Sequence, residues 1–224
     1  MTTAWGILDQ KLSYFLNDAA RAGGESKYKL PLRVGAWNWA QRELAQHTAR
    51  EMVVSPVGLE PDGRSSVLPA DFLQVAQVFD VDNSLVLAPA HFEPGGYRDN
   101  GSDNPSYWVW GDSLRFEASV TSKLELYYYA YWPDVVYDEE ETRFLQEQVF
   151  VPRWAELPLL HLTAASVLQP YAIATARNRE NATKLDSGTP EDNPTARQAR
   201  EHLWWYHELL GQHTAQARLG GVAA

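Results

Sequence analysis

The chain has 224 residues, 45% hydrophobic content and a formal net charge of −10. This length suits one sizeable domain with its own core, and the absence of cysteine excludes disulfides and cysteine-based zinc sites. The acidic balance argues against a generic nucleic-acid-binding protein. The N-terminal residues MTTAWGILDQ show no basic segment followed by an apolar core, and no stretch approaches the roughly 18 apolar residues of a membrane span. We therefore expect a soluble protein that is neither exported nor in a membrane.

The N-terminal part of the chain has the apolar spacing of two helices. The first is predicted from residue 2 or 3 to about 22, where two glycines end it. The second is predicted over 36–54, and its apolar face holds Trp37, Leu44 and Met52. Trp39 lies about 200° round the axis from that face. A tryptophan on a polar helix face predicts contact with another surface.

The middle of the chain predicts an antiparallel β-subdomain. Strands are predicted at 73–81, 85–88, 107–110, 114–118 and from 123 to a Trp-Pro pair at 132–133. The last strand alternates most clearly, with Leu124, Leu126, Tyr128 and Ala130 on one face and Tyr127 and Tyr129 on the other. The tract at 94–105 is rich in glycine, asparagine and aspartate and predicts an exposed loop.

The C-terminal part predicts two more helices after an acidic, solvated connection at 138–141. One runs from 152 to about 185, with a kink or break at Pro170. The other runs from 195 to 218, with a buried stripe of Leu203, Tyr206 and Leu210. Trp204 and Trp205 are adjacent, so both cannot lie in that stripe, and at least one should pack against a neighbouring element or chain.

Together these elements predict an α+β fold. N-terminal helices (1–66) and C-terminal helices (138–224) form a helical bundle, and an antiparallel β-meander or sandwich subdomain (67–137) is inserted between them.

No motif for catalysis, a cofactor or a metal is complete. The peptide HELLGQH at 207–213 resembles a zinc-peptidase helix, but its histidines are six residues apart, about 240° round a helix, where the motif needs four. Asp80, Asp82 and Ser84 resemble the start of a calcium loop, but Leu85 and His91 occupy the positions that need glycine and glutamate. The sequence therefore supports no enzyme, no cofactor and no metal site.

Aromatic content is the unusual feature, with nine tryptophans and eleven tyrosines. Tryptophan and tyrosine are enriched at interfaces, so a protein that associates with itself or with several partners is favoured. The candidate interface residues are Trp39, Trp204 and Trp205 on the helices. The loop adds Gly95, Gly96, Tyr97, Asn100 and Asn104 as a partner contact that becomes ordered on assembly.

The order of several short signatures resembles the head-to-tail adaptor (connector) proteins of tailed bacteriophages, including the tail tubular protein A type. The resemblance extends over about residues 5–212. It rests on YFLNDA at 14–19, LPADF at 68–72, YWVWG at 107–111, LYYYA at 126–130, VPRW at 151–154 and the turn-rich link at 188–194 before a long helix.

The resemblance implies a structural virion protein, assembled in the host cytoplasm, that forms a ring of about twelve copies below the portal. Such a ring extends the DNA exit channel and docks the tail, stopper or nozzle protein. Double-stranded DNA would pass through without specific binding, and net negative charge suits such a conduit because it repels phosphates.

Three other functions remain open from the sequence. One is another phage neck component, such as a stopper or tail completion protein. A second is a carbohydrate-binding module that stacks sugars on Tyr127, Tyr129, Tyr131 and Trp108, which requires that face of the sheet to be bare. The third is a metal-dependent hydrolase, which would require metal in the purified protein.

Overall fold

The computed structural model describes residues 2–18, 26–90, 92–93, 96–97, 106–183 and 194–220. The chain divides into two compact units, a helical unit formed by Met1–His47 with Trp132–Ala224 and a β-unit formed by Thr48–Tyr131. The predicted α+β class is confirmed. The β-unit begins and ends earlier in the chain than the 67–137 suggested by the sequence.

The helical unit is organised around its third helix. Within the described residues its helices are α1 (Trp5–Phe15), α2 (Leu30–Ala45), α3 (Arg153–Thr183) and α4 (Pro194–Gly220). α3 packs against each of the other three, so most of its side chains between 155 and 168 are buried. Between α1 and α2, the buried indoles of Trp5 and Trp37 meet edge to face, with 5.5 Å between ring centroids. Such edge-to-face pairs are favourable.

The apolar spacing predicted for α1 is confirmed, with Trp5, Leu8 and Leu12 buried. The helix is shorter than predicted because residues 3–4 are extended and Asn17 adopts a left-handed backbone conformation with φ of 51°. The glycines expected to end the helix at 23–24 lie outside the described residues.

The prediction of a second helix over 36–54 is wrong at both ends. α2 starts at Leu30, with Pro31 in its first turn, where proline has no hydrogen bond to lose. It ends at Ala45, and Arg50–Val54 is the strand β2. Met52 therefore lies in a sheet, because the consecutive valines that follow it favour a strand paired with a distant segment.

The two C-terminal helices lie close to their predicted ranges. A kink or a break was predicted at Pro170. α3 continues through Pro170 as one helix, so the helix is not broken there. The turn-rich link expected at 186–190 lies outside the described residues.

Two short β-pairs belong to the helical unit. β1 (Thr3–Ala4) pairs with β13 (Gln148–Val149), and β11 (Val136–Asp138) pairs with β12 (Arg143–Gln146). The acidic run predicted as a solvated connection forms the exposed turn between β11 and β12.

The β-unit contains two larger sheets. Besides β2, their strands are β3 (Ser65–Val67), β4 (Phe72–Asp80), β5 (Leu85–Leu87), β8 (Tyr107–Trp110), β9 (Ser113–Phe116) and β10 (Leu124–Ala130), and β6 (Phe92–Glu93) and β7 (Gly96–Tyr97) form a separate short pair. One larger sheet has the strand order β2-β10-β4-β5 and the other has the order β3-β9-β8. Side chains from both sheets share one buried apolar cluster, as in a sandwich.

β10 lies at the centre of the first sheet, between β2 and β4. Its predicted alternation is confirmed, because Leu124, Leu126, Tyr128 and Ala130 are buried while Tyr127 and Tyr129 are exposed. The strand order departs from a simple meander, since β10 pairs with two strands that precede it by many residues.

Candidate functional site

The register of α4 decides which of its aromatic side chains reach the surface. Tyr206 and Leu210 are buried as predicted, but Leu203 is 42% exposed, so its place in the predicted stripe is wrong. The partly buried His202 takes that place, four residues before Tyr206. One helical turn is 3.6 residues, so 202, 206 and 210 share a face and 203 begins to leave it.

Trp204 and Trp205 both lie on the exposed side of α4. Their side chains are 57% and 44% exposed, and their rings touch edge to face with 4.7 Å between centroids. Both predicted interface tryptophans therefore present indole surface to solvent. Large apolar surface of this kind marks sites of association when it is contiguous with other apolar groups.

A pair of histidines lies beside Trp205. His161 Nδ1 is 3.0 Å from His202 Nδ1, and His202 Nε2 is 3.2 Å from the carbonyl oxygen of Phe15. The carbonyl only accepts, so His202 Nε2 carries the hydrogen and the neutral ring has a bare Nδ1. We therefore assign His161 Nδ1–H as the donor to His202 Nδ1, with both rings neutral.

The pKa values of this pair agree with that assignment. Burial, and to a smaller extent the neighbouring His202, lower the pKa of His161 to about 4. Burial also lowers the pKa of His202, although the carbonyl of Phe15 opposes that change. A doubly protonated pair would direct two N–H groups at each other, so this contact requires at least one neutral ring.

The histidine pair joins the tryptophans to a groove between α1 and α3. Trp205 lies over His161 with 6.2 Å between ring centroids, and His161 stacks on Phe15 at 4.7 Å. The groove has a volume of about 360 Å³ and is lined by Lys11, Tyr14, Phe15, Arg153, Glu156, Leu157 and Leu160.

We call Tyr14, Leu157, His161, Trp204 and Trp205 the aromatic face. Tyr14 is 64% exposed and Leu157 is 45% exposed. Leu157 and His161 are four residues apart and so share one side of α3. The face thus extends over three helices of the helical unit.

Trp39 lies on the polar face of α2, as predicted, and is 45% exposed. It is near Arg42 in the helix, whose guanidinium pairs with Asp134. No ring contact within the described residues joins Trp39 to the aromatic face. It is therefore a separate candidate contact.

The predicted loop contact is only partly within the described residues. Gly96 and Tyr97 form β7, which pairs with Phe92–Glu93. Gly95, Asn100 and Asn104 lie outside the described residues, so the role of this loop stays a prediction.

A family comparison supplies an independent observation. The model of the SU10 adaptor protein family matches residues 5–187. The chain belongs to this family. It is a family of bacteriophage head-to-tail adaptors, so the resemblance found in the sequence is confirmed and the protein is a structural adaptor of a phage virion. A comparison with curated proteins found no match to the chain.

The described residues show no grouping of three or more histidine, aspartate or glutamate side chains that could hold a metal ion. His213 stacks on Trp154 instead, with 3.5 Å between ring centroids, while His207 is exposed. Asp80, at the end of β4, accepts hydrogen bonds from Asn83 and Ser122.

Among the described helices none is long and apolar enough to cross a bilayer.

Of the four side chains predicted as a sugar platform, two are exposed on one sheet. Tyr127 and Tyr129 are exposed on β10, and the hydroxyl of Tyr127 donates to Glu125. Tyr131 is half-buried, and Trp108 is half-buried on β8 of the other sheet.

Sequence reasoning found the tryptophans of the aromatic face but missed Tyr14, Leu157 and the histidine pair. The adjacent aromatics Tyr14 and Phe15 gave a usable signal, because neighbouring helix positions point about 100° apart and the buried side of α1 is narrow. Nothing in the sequence indicated that His161 and His202 meet.

Proposed function

We propose that the protein is a non-catalytic head-to-tail adaptor that forms a ring of about twelve copies below the portal. The ring extends the DNA exit channel and docks the tail, stopper or nozzle protein. The observation that carries this proposal is the aromatic face on the helical unit of a chain that belongs to an adaptor family. Family membership favours an adaptor over a stopper or tail completion protein.

The energy available from the aromatic face supports self-association. A buried tryptophan covers about 150–250 Å², so roughly half of that area remains to be covered on Trp204 and on Trp205. At about 25 cal/mol per Å², covering it contributes about 2 kcal/mol for each ring. Paired tryptophans of this kind are typical of the few residues that dominate an interface.

The charge of the chain supports a conduit for DNA. Each copy carries −10, so about twelve copies form a ring of roughly −120, which repels phosphates and limits adhesion during passage. No catalytic residue is needed for this role.

The test is assembly with and without the portal protein. We expect purified protein mixed with portal to form rings in electron micrographs and in native mass spectra. The double variant Trp204→Ser/Trp205→Ser should lose ring formation. Trp110→Ser is the matched control, because Trp110 is 68% exposed on the β-unit and lies far from α4 in the chain. Rings of unchanged yield in the double variant, or a wild-type chain that neither assembles nor binds portal, would overturn the proposal.

The exposed pair Tyr127 and Tyr129 favours one second candidate, carbohydrate binding. Exposed aromatic rings on one face of a strand offer apolar surfaces on which a sugar can stack. A glycan array without a bound sugar removes this candidate, and a hit that is lost in Tyr127→Ala supports it.

A further inference from the structure

The helical unit has a second exposed surface, which differs in charge from the aromatic face. We call residues 136–146, which form β11, its turn and β12, the acidic hairpin. Glu139 and Glu140 are exposed at the turn. The carboxylate of Asp138 accepts hydrogen bonds from the backbone N–H of Glu140 and of Glu141, at 2.9 and 3.1 Å. These bonds hold the turn in one conformation, so the two glutamates are presented without a large ordering cost.

The acidic hairpin also presents apolar side chains. Leu145 is 59% exposed on β12, and Val136 is exposed on the paired strand. Glu141 is paired with Arg143 within the hairpin. A hairpin that carries an exposed leucine and two exposed carboxylates has the composition of a segment that fits an apolar groove with a basic rim.

The groove between α1 and α3 has that character. Leu157, Leu160 and Phe15 give it an apolar lining, and Lys11 and Arg153 lie on its rim. Glu156, its acidic member, is already engaged, because it accepts a hydrogen bond from Thr3 and pairs with Lys11 at 3.8 Å. Lys11 and Glu156 balance each other, so Arg153 leaves the groove lining with a net charge of +1, in a chain whose net charge is −10.

We propose that the acidic hairpin of one copy docks in the groove of the next copy. Leu145 packs against Tyr14 and Leu157, while Glu139 and Glu140 lie beside Lys11 and Arg153. This inference rests on the self-association proposed above and names its two surfaces. It adds the acidic hairpin to the proposed interface, whereas the aromatic face alone does not show which part of the next copy it contacts.

The contact is heterologous, because hairpin and groove are different surfaces of one unit. The hairpin packs on α2 through β11, whereas the groove lies between α1 and α3. Each copy offers one of each, so the same contact repeats from copy to copy and closes into a ring when the rotation allows. An isologous contact would stop at a dimer.

The absence of cysteine permits a direct test by cross-linking in the full-length chain. A variant with both Leu145→Cys and Leu157→Cys, treated with a short bismaleimide, should give a ladder of covalent oligomers. Mixed chains that carry one change each should stop at the dimer. Leu157→Cys with Val67→Cys is the matched control, because Val67 is at least as exposed as Leu145 but belongs to the β-unit, and it should give no ladder.

Charge reversal gives a second, independent readout. Arg153→Glu and Glu140→Arg should each weaken self-association by about tenfold, because each places like charges together. An equal mixture of the two variants should restore it, since each reversed groove then meets a reversed hairpin. Both residues are exposed, so circular dichroism should show a wild-type fold.

The outcomes separate this inference from the proposed function. Wild-type rings without a ladder in the double-cysteine variant, or without rescue in the mixture, overturn the hairpin contact and leave the adaptor ring intact. A ladder with rescue supports the contact. A chain that neither cross-links nor assembles with portal overturns both.

Discussion

Acid should weaken the helical unit through the contact between His161 and His202. The pKa of His161 is lowered from 6.5 to about 4, mainly by burial and then by its neighbour. In the unfolded chain His161 therefore binds a proton as the pH falls through 6.5, whereas in the folded chain it binds one only near pH 4. Stability from this group is complete above pH 6.5 and is lost as the pH falls from 6.5 towards 4.

The size of the effect follows from the two pKa values. One pKa unit corresponds to about 1.4 kcal/mol, so the gap between 6.5 and about 4 sets an upper bound of about 3.5 kcal/mol. Partial exposure of the ring reduces this figure through solvent screening. We expect about 2 kcal/mol to be lost between pH 7 and pH 4.5 on account of His161.

The variant His161→Asn isolates this contribution. Its amide nitrogen occupies the position of Nδ1 and can donate to His202, but it does not titrate. Urea unfolding followed by tryptophan fluorescence at both pH values should show that the variant loses about 2 kcal/mol less than the wild type. His207→Asn, at an exposed ring, should behave as the wild type. An equal loss in wild type and His161→Asn would refute the reasoning, because all other titrating groups are common to both.

Three further changes, each inside one of the two units, test by urea unfolding the contacts that stabilise that unit. Arg33→Met should cost about 3 kcal/mol, because the buried guanidinium pairs with Asp9 at 3.2 Å and its loss leaves that carboxylate without a counter-charge; a cost below 1 kcal/mol would show that the pair is not needed. Asp80→Ala should cost about 2–3 kcal/mol, because a buried carboxylate that accepts three hydrogen bonds is removed, and a wild-type midpoint would argue against that network. Gly63→Ala should cost more than about 1 kcal/mol, since φ is +65° and a Cβ would lie 2.7 Å from a backbone oxygen, whereas Gly58→Ala has open space and should be close to neutral.

The sequence predicted correctly those helices and strands that the spacing of apolar residues alone can specify. β10 alternates every second residue over its whole length, and its buried face is the one that the sequence indicated. The second helix failed where two patterns overlap. Met52 continues the helical spacing of Leu44, but Arg50–Val54 pairs with β10, more than 70 residues further along the chain. A distant pairing partner is not visible in a local window, and it decides such ambiguous segments.

The candidate site was predictable only in part for the same reason. Adjacent Trp204 and Trp205 had to include an exposed ring, since neighbouring helix positions diverge by about 100°, and both rings are exposed. The side chain of His161 meets His202, 41 residues away, only because α3 and α4 pack together. Leu203 was misplaced by one position, which is within the tolerance of a 3.6-residue period.

An electron cryomicroscopy reconstruction of the assembled particle at side-chain resolution would decide whether the protein forms the proposed ring. We expect a ring in which Trp204 and Trp205 of each copy are covered by a neighbouring chain. A ring in which both indoles face solvent, or a particle in which the protein is present as single separated copies, would contradict it.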